Sequence, residues 1–229
     1  MTGPDPSPAD PVHDEVVEVS QEMERAGLVV GTAGNVSGRR GDGSVCLTPS
    51  STPYRDVTAG NLAVLDLGGE HLGGSGKPST EKAMHLACYN AFAEVGGVVH
   101  CHPPHASMFA VAHRPIPASI EEVIVYVGGD VPVADYATTG TDELAAEVVR
   151  HLADRAAVLM ANHGLLCVGR SPSDALHVAL VVEHTAKIMF GAHVLGGVVP
   201  LPGRIAEDFA GIYGYIRSTW SPPGTNSDD

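Results

Sequence analysis

Residues 98–102 read VVHCH and are followed directly by Pro103 and Pro104. The apolar start predicts a short strand, which the prolines end because proline has no N–H to donate to a sheet. Alternate side chains of a strand share a face, so His100 and His102 project together. Two imidazoles at this spacing suit one metal ion. The alternative is two surface histidines that alternate by chance, because a three-residue pattern is common.

A third metal ligand must come from another segment, and His163 is the best candidate. It lies in an Asn-His-Gly turn between the apolar segments 157–161 and 165–168. Three neutral imidazoles suit a Zn²⁺ site with an open position, and they also accept Mn²⁺ or Co²⁺. The remaining histidines are weaker candidates. Surface positions are expected for His13, His71 and His151, structural roles in helices for His85, His177, His184 and His193, and a supporting place beside the metal pair for His105.

Three turns rich in hydroxyl and amide groups suggest an anion site. They are Thr32–Ser37, Thr48–Ser51 and the helix start at Lys77–Glu81. A helix N-terminus attracts anions, and hydroxyl groups can donate to a phosphate. The alternative is three unrelated loops with ordinary helix capping. Glu81 stands out because a carboxylate near a metal-bound carbonyl can act as a general base.

The apolar periodicity predicts strands grouped between helices, which favours a mixed sheet covered by helices over a regular βαβ winding. The predicted strands are residues 35–39, 45–48, 62–66, 98–102, 123–127, 131–134, 157–161 and 165–168. The predicted helices are residues 11–26, 78–91, 106–112, 141–152, 172–195 and 204–216. We expect one catalytic domain over residues 12–217, with a disordered lead-in at 1–11 and a flexible tail at 218–229.

The charge balance limits the class of partner. The chain of 229 residues has 13 Lys and Arg against 27 Asp and Glu, a formal net charge of −14. Such a chain is a poor candidate for binding nucleic acid or anionic lipid. The sequence has no apolar run of about 20 residues and no signal-peptide pattern, so we expect neither a membrane span nor export. The four scattered cysteines suggest buried thiols of a cytoplasmic protein.

Six strings, taken in order, resemble the motifs of the class II aldolase/adducin family, and most closely its aldolases of the L-fuculose-1-phosphate type. TAGNVSGR resembles TxGNxSxR, LTPSSTPY resembles ITPTGxPY, and KPSTEKAMHLACY resembles PSSExxxHxxxY. VVHCHPPH resembles VVHxHxxH, YATTGTDEL resembles YATFGTxEL, and ANHGLL resembles xHHGL. The matches span residues 10 to 216. The resemblance implies a three-layer α/β/α fold around a mixed, largely antiparallel sheet.

The resemblance also implies the site residues and the reaction. His100, His102 and His163 would bind zinc, and Glu81 would be the base and a ligand of the empty metal site. Tyr213 resembles a C-terminal tyrosine that reaches the substrate. The residues implied for the substrate phosphate are Asn35, Ser50, Ser51, Ser79 and Thr80. The reaction would cleave a phosphorylated ketose to dihydroxyacetone phosphate and an aldehyde, in a homotetramer with active sites at its subunit interfaces.

One departure from the family pattern leaves other reactions open. The family places a tyrosine from the neighbouring subunit where ungapped counting puts Glu121 in this chain. A carboxylate moves a proton at neutral pH only if its pKa is raised. The alternatives within the family are a sugar-phosphate 4-epimerase, a decarboxylase of a phosphorylated keto acid and a thioribulose-phosphate dehydratase. A non-catalytic scaffold like adducin is the alternative of another class.

Overall fold

The computed structural model describes residues 10–220, and its elements follow most of the predicted pattern. The helices are α1 (Pro11–Arg25), α2 (Lys82–Ala91), α3 (Pro104–Val111), α4 (Glu121–Val127), α5 (Asp142–His151), α6 (Pro172–Val194) and α7 (Gly203–Ser218). The strands are β1 (Asn35–Arg39), β2 (Val45–Leu47), β3 (Ala63–Leu65), β4 (His71–Gly73), β5 (Gly97–Cys101), β6 (Val133–Ala134), β7 (Ala157–Met160) and β8 (Gly164–Gly169).

The eight strands form one open sheet in the order β4-β3-β2-β1-β5-β8-β7-β6. Only the pairing of β6 with β7 is parallel, and the other six pairings are antiparallel. The predicted mixed, largely antiparallel sheet is therefore confirmed. Strand β5 lies between β1 and β8, so both edges of the histidine strand are hydrogen-bonded within the sheet.

Helices cover both faces of the sheet, which gives the three-layer α/β/α arrangement. Helices α2 and α5 pack on each other, and α5 also contacts β6 and β7. On the other face α6 contacts β5 and β8, with α1 and α3 against it. Successive side chains of β5 point to opposite layers. His100, which pairs with Asn35, therefore lies on the α2 side, and Cys101 lies on the α6 side.

The strand predicted for residues 123–127 is wrong, because residues 121–127 form helix α4. Their β-branched residues are typical of a strand, but the surroundings favour a helix. Glu121 and Glu122 lie in the first turn, where carboxylates interact favourably with the helix dipole. The helix ends at Gly128, whose φ of 99° suits glycine and whose N–H donates to the carbonyl of Ile124. Its buried face packs against α6 and α7.

Helix α6 is a core element of the described fold. Its 23 residues are long and apolar enough, by length and composition alone, to span a membrane. In the structure it packs against β5, β8, α1 and α3, and about half of its most apolar window is buried. A buried helix of a globular protein passes the same test of length and composition.

The ends of the chain bear on the expected domain limits. Residues 1–9 and 221–229 lie outside the described residues, so the expected lead-in and tail fall largely there. Asp10 caps α1 by accepting from the N–H of Val12 at 3.2 Å, and Pro11 is its first residue, so order begins inside the expected lead-in. The four cysteines are free and buried, as expected. Burial raises the pKa of Cys46 and of Cys88 to about 12.

Candidate metal centre and active site

Three imidazole rings converge at one end of strands β5 and β7. His100 is buried on β5, His102 follows that strand, and His163 occupies the turn between β7 and β8. The ring of His100 lies 4.6 Å from that of His102 and 4.8 Å from that of His163, measured between centroids. One nitrogen of each ring lies within 4.8 Å of the others. The predicted convergence of these three residues is confirmed.

The hydrogen bonds of His100 prepare one nitrogen for a metal ion. Its Nδ1 lies 2.9 Å from the carbonyl oxygen of Leu165, and a carbonyl can only accept, so Nδ1 carries the proton. The lone pair is then on Nε2, which is buried and has no hydrogen-bond partner among the described residues, although Oε2 of Glu81 lies 3.4 Å away. A buried, unpartnered nitrogen is costly unless a cation meets it. The donor set therefore fits a divalent ion such as Zn²⁺.

His102 is suited to the same role by its charge state. The pKa of His102 is lowered to about 4 by burial and by the neighbouring rings of His100 and His163. The ring is therefore neutral at pH 7, as metal binding requires. The turn that carries His163 is held by Asn162, which has a φ of 56° and whose Oδ1 lies 2.6 Å from Nε2 of His113.

Glu81 faces two of the three rings. Its Oε1 lies 3.1 Å from Nε2 of His163, and its Oε2 lies 3.4 Å from Nε2 of His100. Burial raises the pKa of Glu81, but the neighbouring His100 and His163, with a hydrogen bond from Thr139, outweigh burial and hold the pKa well below its usual range. Because the proton of His100 is on Nδ1, the lone pair of Nε2 faces the carboxylate of Glu81. This contact becomes favourable only when a cation or a second proton lies between the two groups.

The three polar turns predicted to bind an anion are joined to one another. Nδ2 of Asn35 donates to Oγ of Ser79 at 3.1 Å and to Oε2 of Glu81 at 2.8 Å. The N–H of Ser50 donates to the carbonyl of Lys77 at 2.8 Å, which ties the second turn to the third. The three turns are therefore neighbours in the fold.

Exposure differs among the candidate phosphate residues. Asn35 and Ser79 are buried, whereas Ser51 and Thr80 are exposed and Ser50 is half-buried. Ser51 has a φ of 59°, a left-handed conformation that turns the backbone beside Ser50. Buried polar groups next to exposed hydroxyls form a site that a small anion can reach from solvent. The phosphate role of these five residues stays a prediction.

Within residues 10–220 of a single chain, two predicted catalytic residues, Glu121 and Tyr213, lie away from the three histidines. Glu121 is exposed at the start of α4. Tyr213 is buried, and its hydroxyl accepts from Arg217 at 3.0 Å. Arg217 also binds the carbonyl of Arg155, just before β7, whereas His163 follows that four-residue strand. Tyr213 and His163 therefore lie near opposite ends of a strand that is roughly 13 Å long. The catalytic roles of both residues stay predictions.

Sequence reasoning missed two groups that contact the site. Thr139 donates through Oγ1 to Oε1 of Glu81 at 2.7 Å. It occupies the place of phenylalanine in the family string YATFGTxEL, a departure that could have drawn attention to it. His85, expected to have a structural role, contacts Oδ1 of Asn35 through Nε2 and is fully buried. Its signal was its position, because Glu81, His85 and Tyr89 recur every four residues along α2.

Comparison with known proteins defines the class. The model of the class II aldolase and adducin N-terminal domain family matches residues 14–190. An L-fuculose phosphate aldolase of Escherichia coli O6:H1 is 37% identical over 188 residues, which cover 82% of this chain and 86% of that protein. A 5-methylthioribulose-1-phosphate/5-deoxyribulose-1-phosphate aldolase of Rhodospirillum rubrum is 34% identical over 212 residues, covering 91% and 95%.

Comparison with solved structures indicates the same family. A solved L-fuculose 1-phosphate aldolase superposes with a TM-score of 0.85 at 31% identity, covering 91% of this chain and 100% of that one. The chain belongs to the class II aldolase/adducin family. As a class II aldolase homologue with a cluster of three histidines, it is a metal-dependent aldehyde-lyase.

Proposed function

We propose that this protein is a zinc-dependent aldolase that reversibly cleaves a ketose 1-phosphate of the L-fuculose-1-phosphate kind to dihydroxyacetone phosphate and an aldehyde. The observation that carries the proposal is the convergence of His100, His102 and His163 with the carboxylate of Glu81 facing them. The scaffold alternative is disfavoured, because a non-catalytic domain would not need a buried, unpartnered Nε2 on His100.

The three imidazoles would hold the ion, Zn²⁺ or in its place Mn²⁺ or Co²⁺. When bound, it would supply the electrophile that polarises the donor ketone and offsets the negative charge of the enediolate. Glu81 would move the proton at the carbon beside that ketone, removing it in synthesis and returning it in cleavage. Asn35 and Thr139 support this role by fixing the two carboxylate oxygens.

The phosphate of the donor would be held by Asn35, Ser50, Ser51, Ser79 and Thr80. Support comes from the direct bond between Asn35 and Ser79 and from the tie between Ser50 and Lys77. The net charge of −14 gives the anion no general attraction, so local donors must supply it. Because Asn35 bonds both Ser79 and Glu81, the phosphate and base subsites share one side chain.

The proton transfer on the aldehyde side is proposed for Glu121 or Tyr213 of a neighbouring subunit in a homotetramer. Glu121 is exposed and available to a neighbour, whereas Tyr213 is buried and bonded to Arg217. Glu121 is therefore the better candidate.

Two aldehydes deserve direct comparison. L-Fuculose 1-phosphate, named for the solved structure, and 5-deoxyribulose 1-phosphate, one of two sugars named for the Rhodospirillum rubrum relative, are both ketose 1-phosphates, so cleavage of the C3–C4 bond leaves the same dihydroxyacetone phosphate. L-Fuculose 1-phosphate would give lactaldehyde, and 5-deoxyribulose 1-phosphate would give acetaldehyde. Glu121, proposed for the aldehyde side, and Thr139, bonded to Glu81, replace aromatic residues of the family pattern, so the site departs from that pattern at these two positions.

The test is to incubate the zinc-loaded protein with dihydroxyacetone phosphate and, separately, lactaldehyde and acetaldehyde. We expect a new ketose 1-phosphate with at least one aldehyde, identified by mass and by NMR. Failure to form a carbon–carbon bond with either, together with epimerisation, decarboxylation or dehydration of a phosphorylated sugar, would replace the aldolase assignment by one of the related reactions.

A further inference from the structure

A buried chain of hydrogen bonds leads from the interior of α2 to the carboxylate of Glu81. The hydroxyl of Tyr89 lies 2.8 Å from Oγ of Ser37, which lies 2.7 Å from Nδ1 of His85. Nε2 of His85 contacts Oδ1 of Asn35, and Nδ2 of Asn35 donates to Oε2 of Glu81. Tyr89, Ser37, His85 and Asn35 are all at most 2% exposed.

The sequence builds this chain from two elements. Helix α2 and the residue before it carry Glu81, His85 and Tyr89 at intervals of four residues, which places them on one helix face. Strand β1 carries Asn35 and Ser37 two residues apart, so both side chains point to the same face of the sheet. The two elements interleave, with each side chain of β1 between two of α2.

The direction of the chain follows from its charged end. Glu81 can only accept, so the amide of Asn35 must present Nδ2 to it and Oδ1 to His85. Nε2 of His85 therefore carries a proton, and Nδ1 accepts from the hydroxyl of Ser37. Burial lowers the pKa of His85 to about 3, with a further contribution from His100, so the ring has only this one proton at pH 7.

We propose that His85 is a positioning residue, whose Nε2–H holds the amide of Asn35 in the one orientation that serves both Ser79 and Glu81. The inference rests on the proposed function, because Asn35 links the phosphate and base subsites. The reversed amide would place Oδ1 against the carboxylate of Glu81 and turn its NH₂ group away from the site. Both subsites would then lose a donor at once.

The first measurement concerns the wild-type protein and does not depend on activity. The ¹⁵N shifts of the His85 ring, observed by long-range ¹⁵N–¹H correlation, report which nitrogen carries the proton. We expect the Nε2–H form with an unprotonated Nδ1. The Nδ1–H form would overturn the proposal, because His85 could not then donate to Asn35.

The second measurement compares His85→Leu, which removes the donor, with His85→Gln, which keeps an N–H at the same distance along the side chain. For the zinc-loaded proteins we measure zinc per chain, the Kd for inorganic phosphate and the rate of deuterium exchange into dihydroxyacetone phosphate. We expect His85→Leu to weaken phosphate binding and to slow exchange, each about tenfold or more. Its zinc content should be unchanged, and His85→Gln should recover most of both losses.

The outcomes separate this inference from the proposed function. Normal phosphate affinity and exchange in His85→Leu, or equal impairment in both variants, would overturn the positioning role. A merely structural role would lower the unfolding midpoint of His85→Leu without changing the activity per bound zinc. A wild-type protein that neither binds phosphate nor exchanges the proton would instead overturn the proposed function, and the ¹⁵N measurement would still judge the His85–Asn35 contact. His177→Leu, at an exposed position on α6, is the control for loss of a histidine.

Discussion

At the scale of single residues, the site depends on which atoms carry protons and which carry lone pairs. The carbonyl of Leu165 fixes the proton of His100 on Nδ1, and Glu81 fixes the amide of Asn35. Each assignment follows from a partner that can only accept. The polar groups around the metal centre are thus oriented before any ligand arrives, which reduces the reorganisation that catalysis requires.

Replacing Glu81 by Gln tests its role as the base. We expect deuterium exchange into dihydroxyacetone phosphate to fall by about 10²- to 10⁴-fold, because the amide cannot accept the proton. Phosphate affinity should stay within a few-fold of wild type, because the side-chain oxygen of Gln can still accept from Asn35. Metal analysis of the same sample is the control for an intact site. Exchange at the wild-type rate would remove Glu81 from the mechanism.

His85 also makes the stability of the fold depend on pH. Its pKa is about 3 in the folded protein and about 6.5 in the unfolded chain, so the unfolded chain takes up the proton first. The contribution of neutral His85 to the free energy of unfolding is complete above pH 6.5 and is lost as the pH falls toward 3. Between pH 7 and pH 5 we expect the free energy of unfolding of the metal-free protein to fall by about 2 kcal/mol more than that of His85→Gln. Denaturant unfolding at both pH values measures this difference. An equal change in the free energy of unfolding for the two proteins would contradict the prediction.

At the scale of elements, the metal centre is held where strand ends meet helix starts. Helix α3 begins immediately after His102 and Pro103, and its first turn has no side-chain cap of its own. Glu183, on α6, supplies the missing acceptor, with Oε2 bonding the N–H groups of His105 at 3.0 Å and of Ala106 at 2.9 Å. The core helix therefore anchors the segment that carries two of the three candidate metal ligands.

Gly164 tests how closely β8 must approach His102. A Cβ at this position would lie 2.5 Å from Cδ2 of His102 and 2.6 Å from the carbonyl oxygen of Cys101. We expect Gly164→Ala to push the ring aside and to weaken zinc binding about tenfold or more. Gly41→Ala is the matched control, because a Cβ there meets no atom of residues 10–220 within 4 Å. Equal zinc affinity in both variants would show that the site tolerates movement of His102.

At the scale of the whole molecule, the exposed surface favours the proposed assembly. Large apolar side chains remain exposed around the ends of α3 and α6, among them Val111, Phe190, Val194 and Leu195. Exposed apolar patches mark interaction sites in many proteins. We expect light scattering to give a mass about four times that of the 23.7 kDa chain. A monomer at micromolar concentration would contradict the tetramer and leave Glu121 without a route to a neighbouring site.

The sequence predicted most of the architecture, because the apolar periodicities of strands and long helices are strong. It failed at residues 121–127, where two acidic residues at the start and Gly128 at the end override the β-branched run. It found the three histidines, because strand alternation and a turn place them at strand ends. It missed the role of His85 and the contact of Thr139, because each meets a partner about 50 residues or more away in the chain. Only the fold shows such contacts.

The most direct test of the proposed metal site is the zinc dependence of proton exchange on dihydroxyacetone phosphate, measured by ¹H NMR in D₂O. We expect the wild-type protein to lose exchange when zinc is removed and to regain it at one ion per chain, while His102→Ala neither binds zinc tightly nor exchanges. Exchange that persists in the metal-free protein, or that is unchanged in His102→Ala, would contradict the claim that the three imidazoles hold the catalytic ion.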